Sequence, residues 1–273
     1  MLTVFGDESI DATQQKVFAT AGLLGDKNQW SRLREQWSSR MGGKIFHASD
    51  CECGHGGFKG GSHQDNLDLY KDLTTILAKS GLIGFGVGID LAGLRKYFPD
   101  AKEEQPYLAC FLRTVKFLAE KAQQCIPRSE IEVVFDQNHG QQHNAGLIYQ
   151  YLKLHNDWEA GTLLQEKVSF ASRQEIGIQA ADLWAREVMK LLECDLENRP
   201  RRKSAVALQA TQLFGADLLC EGFYEGMRAN YQKMQQQTGV SQDGYLKWLQ
   251  TRADNQSNRI LYLMFTVEQE QGH

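Results

Sequence analysis

Short apolar runs, separated by segments of helical periodicity, constrain the fold of this chain most strongly. Five runs are rich in β-branched and aromatic residues and are bounded by turn residues, which predicts strands at residues 2–5, 17–24, 82–89, 131–135 and 167–170. Apolar residues at helical spacing predict helices at residues 30–41, 67–79, 107–122 and 145–154. Three strands come first, and the later strands alternate with helices. This order predicts an α/β fold in which helices flank a mixed five-stranded sheet.

The last third of the chain lacks further strand-like runs. After Ile178 the pattern is helical nearly to the end, with its clearest interruption at the basic turn 199–203. We therefore predict one domain over residues 1–198 and a helical C-terminal extension over residues 199–273 that packs on it. The segment 42–62 contains seven glycines, which predicts a long functional loop rather than a regular element.

Composition and charge exclude several classes of protein. Hydrophobic residues make up 42% of the chain and charged residues 23%, which is typical of a globular rather than a disordered protein. The net charge of −4 argues against a broad basic surface that coats nucleic acid. The apolar runs are shorter than the roughly 18 residues of a membrane span, and the acidic N-terminal segment is unlike a signal peptide. Six scattered cysteines suggest reduced thiols, so we expect a cytoplasmic protein without membrane contact.

Aspartates follow two of the predicted strands directly. The first strand leads into Asp7 and Glu8, and the fourth leads into Asp136. Ligands of α/β sheets collect beyond the carboxyl ends of strands, so adjacent strands would bring Asp7 and Asp136 together. Hard oxygen ligands of this kind select Mg²⁺ or Mn²⁺. The alternative is that both aspartates are turn or helix-capping residues.

A third carboxylate, Asp182, lies within an apolar helical segment. Burying it is costly unless it is paired or binds a metal ion. Gln179, Asp182 and Arg186 are spaced so that they share a neighbouring helix face, which makes Gln179 and Arg186 candidates for substrate contacts. A salt bridge from Arg186 to Asp182 is the simplest structural alternative.

The basic turn 199–203 is the densest cationic cluster in the sequence. Arg201 and Arg202 within it are candidates for contacts to a nucleic-acid backbone, where each neutralised phosphate adds affinity. The alternative is a solvated turn at a helix end, which the helix dipole favours.

Four short motifs resemble the DUF3800 family and occur in the order of that family. They are Phe5-Gly6-Asp7-Glu8-Ser9, Ile45-Phe46-His47-Ala48-Ser49-Asp50, Val133-Val134-Phe135-Asp136, and Phe170-Ala171-Ser172 followed by Ile178-Gln179-Ala180-Ala181-Asp182-Leu183. The resemblance spans roughly residues 4–190. It implies a ribonuclease H-like fold, whose members in general cut or join phosphodiester bonds with two metal ions held by acidic residues.

The resemblance also implies roles for individual residues. Asp7, Asp136 and Asp182 match the acidic positions of the family, and Glu8 follows Asp7 as in its Asp-Glu-Ser pattern, so all four are expected catalytic metal ligands. His47, followed three residues later by Asp50, matches another family pattern, and a histidine there could transfer a proton or bind metal. A surface histidine bonded to the backbone is the alternative for His47.

Other histidines and cysteines allow a zinc site. Cys51, Cys53 and His55, flanked by His47 and His63, offer enough ligands, although the Cys-x-Cys spacing is tighter than usual and exposed free thiols are the favoured interpretation. His139 and His143, four residues apart, are candidates for metal binding, phosphate contact or simple solvation.

Three functional hypotheses follow. The leading one is a Mg²⁺- or Mn²⁺-dependent nuclease or phosphodiesterase that acts on nucleic acid or a nucleotide by a two-metal mechanism. The second is a non-catalytic module that binds nucleic acid or protein. The third is a protein with a zinc-stabilised loop, in which the acidic cluster is only structural.

Overall fold

A six-stranded mixed sheet forms the centre of the computed structural model, which describes residues 1–97, 105–137, 142–154, 158–226 and 228–229. The strands are β1 Leu2–Ile10, β2 Val17–Asp26, β3 Ile83–Asp90, β4 Ile131–Asp136, β5 Ser169–Ala171 and β6 Phe214–Leu219. Their order across the sheet is β5-β4-β1-β2-β3-β6. Among these strands only β2 runs antiparallel to the others, so the described parallel strands present their carboxyl ends at one edge.

Helices cover both faces of the sheet. The described helices are α1 Lys27–Met41, α2 Ala48–Cys53, α3 His63–Ala78, α4 Leu91–Tyr97, α5 Gln105–Cys125, α6 Gln142–Leu154, α7 Ile176–Leu196 and α8 Lys203–Gln209. Helix α7 packs across β1, β2 and β3 on one face, and α5 packs against β2 and β3 on the other. The predicted α/β architecture with flanking helices is therefore confirmed. None of the described helices combines the length and apolar composition needed to cross a bilayer.

The sheet has a sixth strand that the sequence analysis did not predict. Residues 214–219, expected to be helical, form β6, which pairs in parallel with β3 from Gly84 opposite Phe214 onward. The ring of Phe214 packs edge to face on Trp184 of α7, with ring centroids 5.2 Å apart. The strand count of five was therefore wrong, because pairing and packing with distant residues decide the conformation here. Residues 230–273 of the predicted extension lie outside the described part of the chain.

The glycine-rich segment 42–62 contains more regular structure than the predicted loop. It includes the six-residue helix α2, which ends at Gly54 in the left-handed conformation with φ of 65°, and a 3₁₀ turn at Gly56–Phe58. Ala48, Cys51 and Phe58 bury their side chains in the apolar layer beneath α7. Tertiary packing, which local composition does not show, therefore orders this segment.

A buried carboxylate closes the connection between β1 and β2. Asp11 accepts hydrogen bonds from the backbone N–H groups of Thr13 at 2.9 Å, Gln15 at 3.1 Å, Lys16 at 2.8 Å and Val17 at 2.9 Å, and from the Thr13 hydroxyl. Burial alone would raise the pKa of Asp11, but these hydrogen bonds outweigh it and lower the pKa to about 2. The charged form of Asp11 therefore holds the hairpin that positions the end of β1.

We expect Asp11→Asn to lower the free energy of unfolding at pH 7 by about 2 kcal/mol, because an amide cannot accept all of these hydrogen bonds. The folded-state pKa of Asp11 lies below the roughly 3.9 of an unfolded chain, so its stabilisation is present above that pH and is lost as pH falls toward about 2. Urea denaturation of both proteins from pH 7 to pH 3 tests this. A difference between them that stays constant over this range would contradict it.

Candidate functional site

Asp7 and Asp136 lie side by side on the sheet face that α7 covers. Gly6 of β1 pairs with Phe135 of the parallel strand β4, and the next residue in each strand is the aspartate. Side chains alternate between the two faces of a strand. Phe5 and Val134, two residues before each aspartate, belong to the apolar layer under α7. The two carboxylates therefore share that face, near the edge where parallel strands end.

Asp182 reaches the same region from α7. Its carboxylate is 5% exposed, and its Oδ2 accepts a hydrogen bond of 2.7 Å from the backbone N–H of Ala48 in α2. Gly177, five residues earlier, allows the close approach of α7 to β1, because a Cβ there would lie 2.3 Å from the ring of Phe5. Helix α7 thus brings an aspartate down onto the two strand aspartates.

Asp7 is the most unfavourably placed of the three carboxylates. It is 1% exposed, and its Oδ1 accepts a hydrogen bond of 2.7 Å from the N–H of Glu8. Its Oδ2 is buried and has no hydrogen-bond partner among the residues that the structure describes. Burial raises the pKa of Asp7 well above its ordinary value, and the charges of Asp182, Glu8 and Asp136 raise it further. An ionised Asp7 therefore needs a positive partner that the described side chains do not supply.

Arg173 is a cation next to this cluster that the sequence analysis missed. Its Nε lies 3.8 Å from Oδ2 of Asp136, and its side chain is half exposed. Burial raises the pKa of Asp182, whereas the charges of His47, Arg173 and Arg186 and the Ala48 amide act in the opposite direction. One feature of the sequence could have indicated Arg173: this residue lies between the predicted strand 167–170 and the helix that carries Asp182.

Glu8 lies on the opposite face of the sheet. It pairs with Thr20 across the antiparallel strands β1 and β2, and the Thr20 hydroxyl is 3.0 Å from that of Thr114 in α5. Burial and the charges of Glu8, Asp7 and Asp136 raise the pKa of Tyr107, a buried residue of α5. The structure therefore brings Asp7, Asp136 and Asp182 together on one face and Glu8 onto the other.

His47 is the N-cap residue of α2. Its Nδ1 lies 3.0 Å from Oδ2 of Asp50, and its side chain is partly exposed. The residue that follows it, Ala48, is hydrogen-bonded to Asp182. Helix α2 thus places His47 beside the acidic cluster, with its imidazole oriented by Asp50.

The four predicted substrate-binding residues have partners within the protein. Gln179 is buried, its Oε1 accepting from Trp37 Nε1 and from the N–H of Phe46, both at 3.1 Å, while its Nε2 donates to the carbonyl of Arg173 at 2.8 Å. Arg186 and Arg202 form ion pairs with Glu52, and Arg201 pairs with Asp195 at 3.0 Å. Their substrate contacts stay a prediction.

The cysteines and histidines of segment 42–62 differ in how far they are buried. The Cys51 thiol is buried and donates to the carbonyl of Asn66 at 3.4 Å, and burial together with the charge of Glu52, partly offset by Arg40, raises its pKa to about 11. Cys53 and His55 are exposed. His139 and the side chain of His143 lie outside the described residues.

Among the described residues, neither the acidic cluster nor segment 42–62 is a preassembled metal site. Within the described ranges, no group of three or more histidine, cysteine, aspartate or glutamate side chains is arranged to hold a metal ion. The acidic cluster nonetheless fits Mg²⁺ or Mn²⁺ in chemistry, because its donors are hard oxygens and one of them, Oδ2 of Asp7, is buried without a described partner.

Comparisons with known proteins do not assign this chain to a family. No protein family, no curated protein and no solved structure matches this chain. The resemblance to DUF3800 and the ribonuclease H-like fold that it implies therefore stay predictions.

We expect Asp7→Asn to raise the free energy of unfolding in excess chelator by about 0.5–2 kcal/mol, because the amide removes a buried charge that its neighbours repel. Urea denaturation at pH 7.5 measures the effect. Asp11→Asn is the matched control and should have the opposite sign, since the Asp11 carboxylate is fully hydrogen-bonded. If both variants were destabilised alike, Asp7 would have a polar partner of its own.

Proposed function

We propose that this protein is a Mg²⁺- or Mn²⁺-dependent nuclease or related phosphodiesterase, with Asp7, Asp136 and Asp182 as the metal ligands. One observation carries the proposal: the buried Oδ2 of Asp7 has no described partner and lies among carboxylates that repel it. Such a cluster is either protonated or neutralised by a cation. A divalent cation bound there would neutralise charge on a phosphate and lower the pKa of a coordinated water.

The two-ion arrangement that the DUF3800 resemblance implies is compatible with this cluster. Asp7 experiences the charges of both Asp136 and Asp182, so it is the carboxylate best placed to be shared. Asp182 has one oxygen engaged by Ala48, which leaves its other oxygen for a cation. Glu8 is the least suited of the four predicted ligands, because it lies on the face covered by α5.

Arg173 supports a phosphate ester as the substrate. Its guanidinium is 3.8 Å from Asp136, beyond hydrogen-bond distance, and is half exposed. Its backbone is held, because buried Gln179 donates to its carbonyl. A guanidinium on a fixed backbone at the rim of the carboxylates can bind two oxygens of a phosphate through two parallel hydrogen bonds.

His47 supports proton transfer at the same site. Oδ2 of Asp50 lies 3.0 Å from Nδ1 and favours a proton on that nitrogen, which leaves Nε2 as the nitrogen that takes up or releases a proton. Because His47 is partly exposed, it can exchange that proton with solvent.

A non-catalytic module that binds nucleic acid or protein is the second candidate function. It is favoured by one observation, that the described side chains contain no preassembled metal-ligand group. For either function we propose a cytoplasmic location, because all six cysteines are free.

Calorimetric titration of Mn²⁺ tests the proposed site. Chelator-treated wild type should bind Mn²⁺ and cleave a labelled single-stranded, duplex or hybrid oligonucleotide, whereas Asp182→Asn should lose both activities because it removes a ligand charge. Asp195→Asn is the control, since Asp195 lies on the same helix about 20 Å from Asp182.

The two candidate functions differ in outcome. Folded wild type that binds no Mn²⁺ would contradict the metal site, and oligonucleotide binding that persists in chelator without cleavage would favour the binding module.

Arg173→Gln should raise the KM for a cleaved oligonucleotide about tenfold with little change in kcat, because the lost interaction is a charge-assisted phosphate contact. The slope of log affinity against log salt should fall by about 0.7–0.9, corresponding to one phosphate contact. Arg40→Gln is a matched control, since Arg40 is exposed to a similar degree and also faces a carboxylate, that of Asp72. Equal KM values for the two variants would exclude a phosphate contact by Arg173.

A further inference from the structure

Helix α2 carries two parts of the proposed site but is too short to hold its own position. It spans six residues, and its N-cap residue, His47, makes no side-chain capping hydrogen bond. Helices of this length are not stable in isolation, so tertiary contacts decide where α2 lies. Since α2 presents His47 and donates the Ala48 amide to Asp182, its placement matters for the acidic cluster.

Glu52, near the C-terminal end of α2, makes the strongest charged contacts of this helix. Its Oε2 accepts from Nε of Arg186 at 2.9 Å and lies 2.8 Å from Nη2 of the same arginine. Its Oε1 pairs with Nη1 of Arg202. The side chains of Glu52 and Arg186 are only 15% and 12% exposed, so water screens this pair weakly.

A second layer of contacts holds Arg202 in place. Its Nη2 lies 3.3 Å from Oε1 of Glu187, which is fully buried in α7, and its guanidinium stacks over the ring of Tyr70. Glu187 also accepts hydrogen bonds from the hydroxyls of Tyr70 at 2.6 Å and Ser204 at 2.7 Å. Elements α3, α7 and α8 thus fix one of the two cations that Glu52 contacts.

The contacts between α2 and α7 have matched spacing. Ala48 and Glu52 are one helical turn apart on α2, and their partners Asp182 and Arg186 are one turn apart on α7. The four-residue spacing between the two contacts corresponds to about 6 Å along each helix. The two helices are therefore joined at two levels in the same register, with the Ala48–Asp182 bond at one level and the Glu52–Arg186 pair at the other.

We propose that Glu52 is a positioning residue of the site: through Arg186 and Arg202 it keeps α2 in register with α7, so that Ala48 stays on Asp182 and His47 stays beside the carboxylates. This inference rests on the proposed metal-dependent function for its effect on activity. It also gives Arg186 and Arg202 a role other than substrate binding.

Loss of Glu52 acts on Asp182 in two ways. It removes the second attachment of α2, and it releases Arg186, which lies one turn from Asp182 on the same helix face and can then pair with it. A pairing of Asp182 with Arg186 competes directly with a metal ion. Removing one partner of a weakly exposed ion pair leaves the other charge unpaired, so Glu52→Gln should lower the free energy of unfolding as well.

The test compares Glu52→Gln with Glu193→Gln. Glu193 is a matched control, because its side chain is also 15% exposed and also contacts two cations, Lys190 and Arg199, but near the far end of α7. In chelator, Glu52→Gln should shift the NMR resonance of the Ala48 amide and speed its hydrogen exchange. With Mn²⁺, its metal affinity should fall at least tenfold, as is typical when the partner of a metal ligand is lost. Glu193→Gln should leave all three readouts unchanged.

The outcomes separate this inference from the proposed function. If wild type binds no Mn²⁺, the proposed function fails. The resonance and hydrogen-exchange rate of the Ala48 amide in chelator still test whether Glu52 holds α2 in position. If the Ala48 amide and Mn²⁺ affinity are unchanged in Glu52→Gln, Glu52 is not a positioning residue. If Glu52→Gln does not fold, Arg186→Lys is the second test. It keeps the charge but removes the planar fork, so it should shift the same readouts.

Discussion

A carboxylate buried on the face of a central sheet strand is the constraint around which this structure is arranged. Charged Asp7 loses its hydration and is repelled by Asp136 and Asp182. The fold keeps it there by packing α7 tightly over β1, at the point where Gly177 contacts Phe5. Apolar burial on both faces of the sheet supplies the stability that this arrangement costs. Buried carboxylates that repel one another lower the stability of the fold, and such destabilised positions are typical of functional sites rather than of structural ones.

The strand aspartates were predictable from the sequence, because strands ending in aspartate are local patterns. The period-two alternation also held the information that Asp7 and Glu8 point to opposite faces. The family resemblance placed both residues among the expected metal ligands, whereas the alternation puts their side chains on opposite faces of the sheet. In contrast, β6 could not be predicted, because Phe-Gly-Ala-Asp-Leu-Leu has no clear alternation and becomes a strand only beside β3.

Contacts between distant parts of the chain account for the rest of what the sequence did not show. Glu52 and Arg186 are 134 residues apart, and the helix that carries Glu52 exists because its buried residues pack under α7. No local pattern in a glycine-rich segment indicates such a helix. The surroundings of Arg173 depend likewise on β4 and on Gln179 of α7. Residues that complete a site by long-range contact are therefore the ones that motif spacing misses.

The arrangement of cations argues for the kind of ligand that we propose for this site. Arg186 and Arg202 are held by Glu52, and Arg202 also contacts Glu187, so their charges are already matched by carboxylates. Arg173 is half exposed and pairs with Asp136 at 3.8 Å, beyond hydrogen-bond distance, so its N–H groups are available to a ligand. A chain with a net charge of −4 repels a polyanion except where such local positive charge exists. A cation between the carboxylates and a guanidinium at their rim would together provide it, and this combination suits one phosphate group bound at the carboxyl ends of β1 and β4.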